Sequence, residues 1–425
     1  MKNAGYQSGM VGLAASIGLV LSAQVHADTD YDALKAQVEV LQKQLEEVQE
    51  QLIAQEKESV SREDMRQLEK EVAKSSEWRS PNTLIHMAGY GDVGYEKTDG
   101  DGDDGSFKVG NFAPIFHFQY RDLVMLEAEL EITVEDDGET DTELEYMTID
   151  YFMNDYVTLV GGKFLSPVGQ FRQNIHPSWI NKMASAPPGF GHDGAAPVSD
   201  VGFQLRGGLP TFANVRTSYA IYVSNGPTLN FEDGGLEGID AEGFNKDADG
   251  DKVFGGRFAI LPVSSLEIGL SGATGKAAVN RDDGESIDIK DEGNRDYDVY
   301  GADFSYELRS LDVGWFQGLG FRGEYVKSKV GSTETGMAAS AGADWSTWYT
   351  QAAYRIPLTQ FEGVVRYTDF DSAVDSADQE QWALGINYLF SNNFIGKLNY
   401  EWNDGIDKDS SADSNRFLFQ LAYGF

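Results

Sequence analysis

From Thr83 to the end of the chain, apolar and polar residues alternate; before Thr83 they do not. In the closing segment Phe417, Phe419, Leu421, Tyr423 and Phe425 are apolar on every second residue, with Arg416, Leu418, Gln420, Ala422 and Gly424 between them. Trp382, Leu384, Ile386, Tyr388 and Phe390 repeat the pattern against Ala383, Gly385, Asn387 and Leu389. A period of two is that of a β-strand with one apolar face. Sixteen such segments stand at 83–96, 108–120, 123–135, 142–152, 156–164, 200–208, 212–224, 252–261, 264–274, 297–308, 313–328, 344–356, 359–370, 380–390, 393–403 and 415–425.

The connections alternate short and long. The short ones are Arg121-Asp122, Asn154-Asp155, Leu209-Pro210, Pro262-Val263, Ser310-Leu311, Pro357-Leu358 and Ser391-Asn392. The long ones lie near 97–107, 136–141, 165–199, 225–251, 275–296, 329–343, 371–379 and 404–414. Short turns on one side and long loops on the other belong to transmembrane barrels; a soluble sandwich imposes no such alternation. The predicted fold is therefore an all-β transmembrane barrel of 16 antiparallel strands over 83–425, with both chain ends on one side. On the third strand Val124, Leu126, Ala128, Leu130, Ile132 and Val134 form the apolar face, and Met125, Glu127, Glu129, Glu131 and Thr133 the other. In a lipid-embedded barrel that second face is the watery lumen.

Upstream the period changes. Tyr31, Leu34, Val38, Leu41, Leu45, Val48 and Leu52 alternate spacings of three and four, the seam of a coiled coil. Met65, Leu68 and Val72 resume a weaker helical stripe, and 73–82 reads as a linker. The first residues carry Lys2, an apolar run from Met10 to Leu21 and Val25-His26-Ala27 before Asp28. That is the order of a secretory signal, too short for a spanning helix. The expected organisation is a signal peptide at 1–27, an N-terminal α-helical coiled coil at 28–72 in the periplasm, the linker at 73–82, and the barrel. No later stretch holds the ~20 apolar residues of a membrane helix. Any further membrane span must then be a closed barrel, which satisfies its own backbone in lipid.

Composition narrows the picture. The 425 residues include 47 glycines, 24 Phe and 20 Tyr, no cysteine, and a formal net charge of −36. The absence of cysteine excludes disulfides and thiolate metal sites. The acidic balance argues against nucleic acid as a partner. Acid concentrates in the long loops, at 98–105, 245–252 and 281–298. Asp247, Asp249 and Asp251 have the spacing of a calcium loop, but the glycine at the sixth place and the closing Glu are missing, so the expectation is no metal and no cofactor.

One loop differs. Residues 165–199 hold one acid, Asp193, beside Arg172, Lys182, His176 and His192. They also hold five of the eleven prolines and the apolar Phe171, Trp179, Ile180 and Phe190. Proline reduces the entropy lost on ordering, and loops of this length are functional or disordered. The composition predicts an ordered loop folded into the lumen as a constriction; packing on a neighbouring subunit is the alternative. By strand parity Arg206, Arg216 and Arg257 point inward, and so do Arg322, Arg355, Arg366 and Arg416. An arginine facing lipid would cost about 2–4 kcal/mol near the midplane. Lys163 sits where the fifth strand enters the loop, with ambiguous parity. A basic side opposite the glutamates would set a transverse field, and arginine forks suit carboxylate and phosphate.

With these features the chain resembles Gram-negative porins of the phosphate-selective porin O/P superfamily, and most of all its dicarboxylate-channel relatives with an N-terminal coiled coil. The resemblance is carried by GGKFLSPVGQ (161–170) and VGFQLRGG (201–208), and spans nearly all of 28–425. It implies a trimeric outer-membrane barrel whose third loop narrows the pore, with Lys163, Arg172, Lys182 and Arg206 at the constriction. The C-terminal aromatic residue resembles the signal by which such barrels are recognised for assembly. Phosphate-selective members carry dense basic ladders and constriction tyrosines; loop 165–199 has no tyrosine and two fixed positive charges. Small organic anions such as dicarboxylates fit better than phosphate, with a general, weakly selective pore as the alternative.

The expected function is passive diffusion of small hydrophilic, mainly anionic solutes, with Lys163, Arg172, Lys182, Arg206, Arg216, Arg257, Arg322 and Arg366 lining the pore. Outer-membrane lipid and lipopolysaccharide, and two further copies of the chain, are the expected partners. An adhesin or envelope tether is the competing reading. Beyond residue 27 the histidines are His86, His117, His176 and His192, none in a recognisable catalytic motif, so no enzymatic activity is expected.

Overall fold

A computed structural model describes residues 82–425 except 100–103, 192–193, 210–214, 233–234, 244, 248–249, 281–294, 309–316, 333–341, 374–376 and 406–413, together with 39–40 and 42–44. The expected signal peptide, and the coiled coil and linker apart from those five helical residues and Asn82, lie outside the described residues, as does His192. The chain divides at Ser80/Pro81, and all that follows concerns the unit Pro81–Phe425.

Its strands are β1 (Thr83–Thr98), β2 (Ser106–Tyr120), β3 (Val124–Val134), β4 (Thr140–Asn154), β5 (Val157–Leu165), β6 (Ser199–Gly207), β7 (Arg216–Ser224), β8 (Thr228–Glu232) and β9 (Gly235–Asp240). Then come β10 (Val253–Val263), β11 (Leu266–Asn280), β12 (Arg295–Glu307), β13 (Leu319–Val330), β14 (Ala343–Arg355), β15 (Phe361–Asp371), β16 (Gln379–Ser391), β17 (Phe394–Asp404) and β18 (Arg416–Gly424). Leaving out β8 and β9, each strand pairs antiparallel with the next, β7 with β10, and β18 closes on β1. The result is a closed barrel of 16 antiparallel strands, and the sixteen sequence segments correspond to them one for one. Closure satisfies every sheet edge from within, which lipid requires.

The turns expected at Ser310-Leu311 and Leu209-Pro210 lie outside the described residues, apart from Leu209. Beside the first of them Gly318, at φ 92°, donates its N–H to the Leu308 carbonyl just before β13. The expected loop 225–251 contains a hairpin, β8–β9, whose first strand runs parallel to the end of β11.

The faces follow the alternation. Trp382, Leu384, Ile386 and Phe390 are more than half exposed, while Ala383 and Asn387 between them are buried. Phe203, Ile221, Phe254 and Leu270 are equally bare on β6, β7, β10 and β11. Single exposed apolar residues are ordinary, but a continuous apolar belt is not a water-facing surface. Each such side chain removed from water contributes about 1.5–3 kcal/mol, so a hydrocarbon environment stabilises the belt.

The last residue is part of the closure. Phe425 donates its N–H to the Gly89 carbonyl at 2.9 Å and accepts from the Gly89 N–H at 3.1 Å, and its ring stacks on Phe112. Ending the chain at Ser414, which removes β18, is expected to abolish the folded barrel. The compact, heat-sensitive band on a detergent gel should disappear; its persistence would mean that β17 closes on β1 directly.

Candidate functional site

Loop 166–198 lies inside the barrel. Its apolar residues Val168, Phe171, Ile175, Phe190, Ala195 and Ala196 join one cluster with inward-facing Tyr297, Val299, Val326, Trp345, Tyr349 and Phe370. Leu229 and Ile239 of the β8–β9 hairpin belong to the same cluster. Part of the lumen is thus packed like a soluble core.

Polar wall residues hold the loop backbone. Glu324 on β13 is buried and accepts from the N–H groups of Gln170 and Phe171 at 3.1 and 3.0 Å. Gly169, at φ 75°, makes this approach, because a Cβ there would be driven into the Glu324 side chain. A single π-helical turn follows, Phe171–Ile175, in which His176 N–H bonds the Phe171 carbonyl. Trp179 lies over Gly424 of β18. Buried Lys397 on β17 donates to the carbonyls of Ser178 and Met183 and to Gln420. Asn387 donates to the Lys182 carbonyl and Asn399 accepts from the Ala184 N–H. Buried Arg366 donates to the carbonyls of Ser185 and Ala186, to Ser185 Oγ and to Gln381. Thr347 and Ser328 then take the Pro188 and Ala195 carbonyls. The loop is ordered by the wall rather than by its prolines alone.

Across the lumen stands an acidic wall. Glu127, Glu129 and Glu131 project inward from β3. On β4 the register slips between Glu129 and Leu130 of its partner, so that Glu145 and Tyr146 both turn inward. A bulge of this kind re-aims a side chain. Arg172 reaches Glu145 at 3.7 Å and His176 reaches Glu129 at 3.9 Å. Tyr146 donates to Glu127 at 2.8 Å, and Asn111 donates to Glu131. The loop therefore bridges the lumen, with a cavity of about 280 Å³ on the β2–β6 side and another of about 160 Å³ on the β12–β14 side.

The nominated cations are placed differently from a free ladder. Arg206 lines the larger cavity and pairs with Asp150. Arg257 points inward but is held by Asp303 at 2.6 Å and Glu267 at 2.8 Å. Arg172 faces the acidic wall instead of opposing it. Arg366 holds the loop and is not open to the lumen. Lys163 has the outward parity, with Gly161 and Met147, correcting its expected place in the pore. Arg216 has the inward parity and is exposed at the start of β7. Lys182 and Arg322 share the smaller cavity with Gln170, Asn174, Glu307 and Gln351. Lys182 pairs with Glu362 at 2.5 Å; Arg322 makes no hydrogen bond or ion pair among the described residues.

Several functional side chains were missed in the sequence. Lys397, Asn399 and Glu401 alternate with outward Leu398, Tyr400 and Trp402, and Glu324 shares the parity of Arg322. That signal was present on the same strands. What it could not show is that their partners are loop carbonyls and N–H groups.

The fold and the inward loop define the class: a closed sixteen-stranded β-barrel of the outer-membrane type. Among solved structures the chain is similar to an anion-selective porin from Comamonas acidovorans, at 15% identity and a TM-score of 0.54, covering 81% of this chain and 100% of that one. It is similar also to OmpT, an outer membrane protein of Vibrio cholerae, in a trimer form, at 11% identity and a TM-score of 0.51, covering 81% and 99%. No protein-family model and no curated protein matches the chain.

Proposed function

We propose that this chain is an outer-membrane porin for passive diffusion of small hydrophilic solutes. The observation that carries this reading is a closed, lipid-faced barrel whose lumen is crossed by an ordered loop with polar cavities on both sides. Such a loop sets the size and charge of what passes. The finer reading is a preference for anions, dicarboxylates or similar organic anions ahead of phosphate. It is supported by Arg322, which has no hydrogen bond or ion pair among the described residues, beside Lys182. The acidic wall of Glu127, Glu129, Glu131 and Glu145 favours the alternative of a general, weakly selective pore. The proposal includes an export signal at 1–27, a periplasmic coiled coil at 28–72, and a homotrimer. The heptad seam and the trimer form of the V. cholerae barrel support the last of these.

The test is the conductance and reversal potential of the purified protein in a planar bilayer under a KCl gradient. Steady conductance with a potential displaced towards chloride equilibrium is expected. A displacement towards potassium would remove the anion preference. Absence of conductance from folded protein would sink the porin reading and favour the adhesin or tether.

A further inference from the structure

Two of the few histidines meet head to head on the inner wall. His86 on β1 and His117 on β2 are direct cross-strand partners. Their Nδ1 atoms lie 3.3 Å apart, with ring centroids 5.4 Å apart and planes inclined by 36°. Zinc binds imidazole nitrogen at about 2.0–2.1 Å in tetrahedral geometry, which sets two such nitrogens about 3.3–3.4 Å apart. The pair is exposed, so the rings can turn to bring both lone pairs onto one ion.

A carboxylate stands beside the other ring nitrogen of His117, just beyond hydrogen-bond distance. A metal-ligating histidine commonly donates its other ring N–H to a carboxylate. Here Glu127 Oε1 lies 3.6 Å from His117 Nε2, and Glu127 is itself fixed by the Tyr146 hydroxyl at 2.8 Å. A proton on Nε2 leaves Nδ1 of His117 free as a ligand. We propose that His86 and His117 bind a borderline divalent transition-metal ion, Zn²⁺ with Cu²⁺ and Ni²⁺ as congeners, with Glu127 positioning His117. Among the described residues no three His, Cys, Asp or Glu side chains converge on one ion, so water fills the remaining positions. The ion sits within the first turn-side residues of β1, next to the cavity lined by Glu127 and Glu129. The competing account is a plain imidazole–imidazole hydrogen bond, in which one Nδ1 carries the proton.

The experiment uses full-length protein without a polyhistidine tag, folded in detergent, titrated with ZnCl₂ by calorimetry. One ion per chain is expected. His86→Ala and His117→Ala should each weaken binding at least ~10-fold, and Glu127→Gln should weaken it by roughly 10–100-fold. If an alanine variant loses the folded gel mobility, His86→Gln or His117→Gln takes its place. Cu²⁺ bound to wild type should show coupling to two nitrogens by electron paramagnetic resonance. Affinity unchanged in the histidine variants would place the metal on the acidic loops and overturn the proposal. No binding to wild type would overturn it in favour of the simple hydrogen bond. Neither readout requires conduction, so failure here is distinct from failure of the porin reading.

Discussion

Arg366→Met is expected to give a channel with clearly larger and noisier single-channel conductance than wild type. Arg366 is almost fully buried, and three of its hydrogen bonds go to Ser185 and Ala186 of the lumen loop. Methionine fills much of the space but donates nothing. The Ala186 carbonyl loses this donor, the Ser185 carbonyl keeps only the Asn181 side-chain amide at 3.0 Å, and buried Gln381 also loses a donor, for a cost of about 1–3 kcal/mol in all. Ser185 Oγ still has Glu401, so the loss centres on the loop backbone. A cost of that size shifts the balance between docked and detached loop by about one to two factors of ten, since about 1.4 kcal/mol is tenfold. Arg366→Lys should fall between the two, because an ammonium lacks the planar fork that reaches several acceptors together. Conductance in symmetric KCl reads the result directly. A wild-type value for Arg366→Met would show that Lys397, Asn387 and Glu324 hold the loop without it.

Arg322→Glu is expected to displace the reversal potential towards potassium by the largest amount of any single pore substitution. Arg322 is the nominated cation that faces a lumen cavity with no ion pair or hydrogen bond among the described residues, so its charge is not already neutralised. Its reversal changes the local charge by two units beside Lys182. By contrast, Arg257→Gln removes a guanidinium flanked by Asp303 and Glu267, and its effect should come more from unpairing those acids than from the pore field. Effects at Arg322 should shrink as salt rises, with screening over ~8–10 Å at ordinary ionic strength. An unchanged reversal potential for Arg322→Glu would mean that ions pass on the β2–β6 side, past the acidic wall.

The strands were legible because lipid and lumen impose opposite demands on alternate residues. The run from Trp382 to Phe390 needs no tertiary context to be assigned a face, and the buried Asn387 and exposed Ile386 obey it. The last strand was legible for the same reason, and its pairing with β1 gives the terminal Phe425 its place. Alternation cannot show where pairing stops, and the hydrogen bond from Gly318 to Leu308 ahead of β13 was not legible from it. What holds the inward arginines was not legible. Parity says which way Arg206 and Arg257 point, but their partners Asp150 and Asp303 lie 56 and 46 residues away in the chain.

The sequence by itself determined the number and order of the strands, the apolar outer face, the polar inner parity and the singular loop at 165–199. Each is a local property of composition and period. Only the tertiary structure decided which charges remain free. A charge in a lumen is set by the nearest group across the wall or on the loop, and those groups meet only when the barrel closes. That is why Arg172 binds the acidic wall, Arg366 the loop backbone, and Arg322 neither. It is also why His86 and His117, 31 residues apart, face each other across one strand pair.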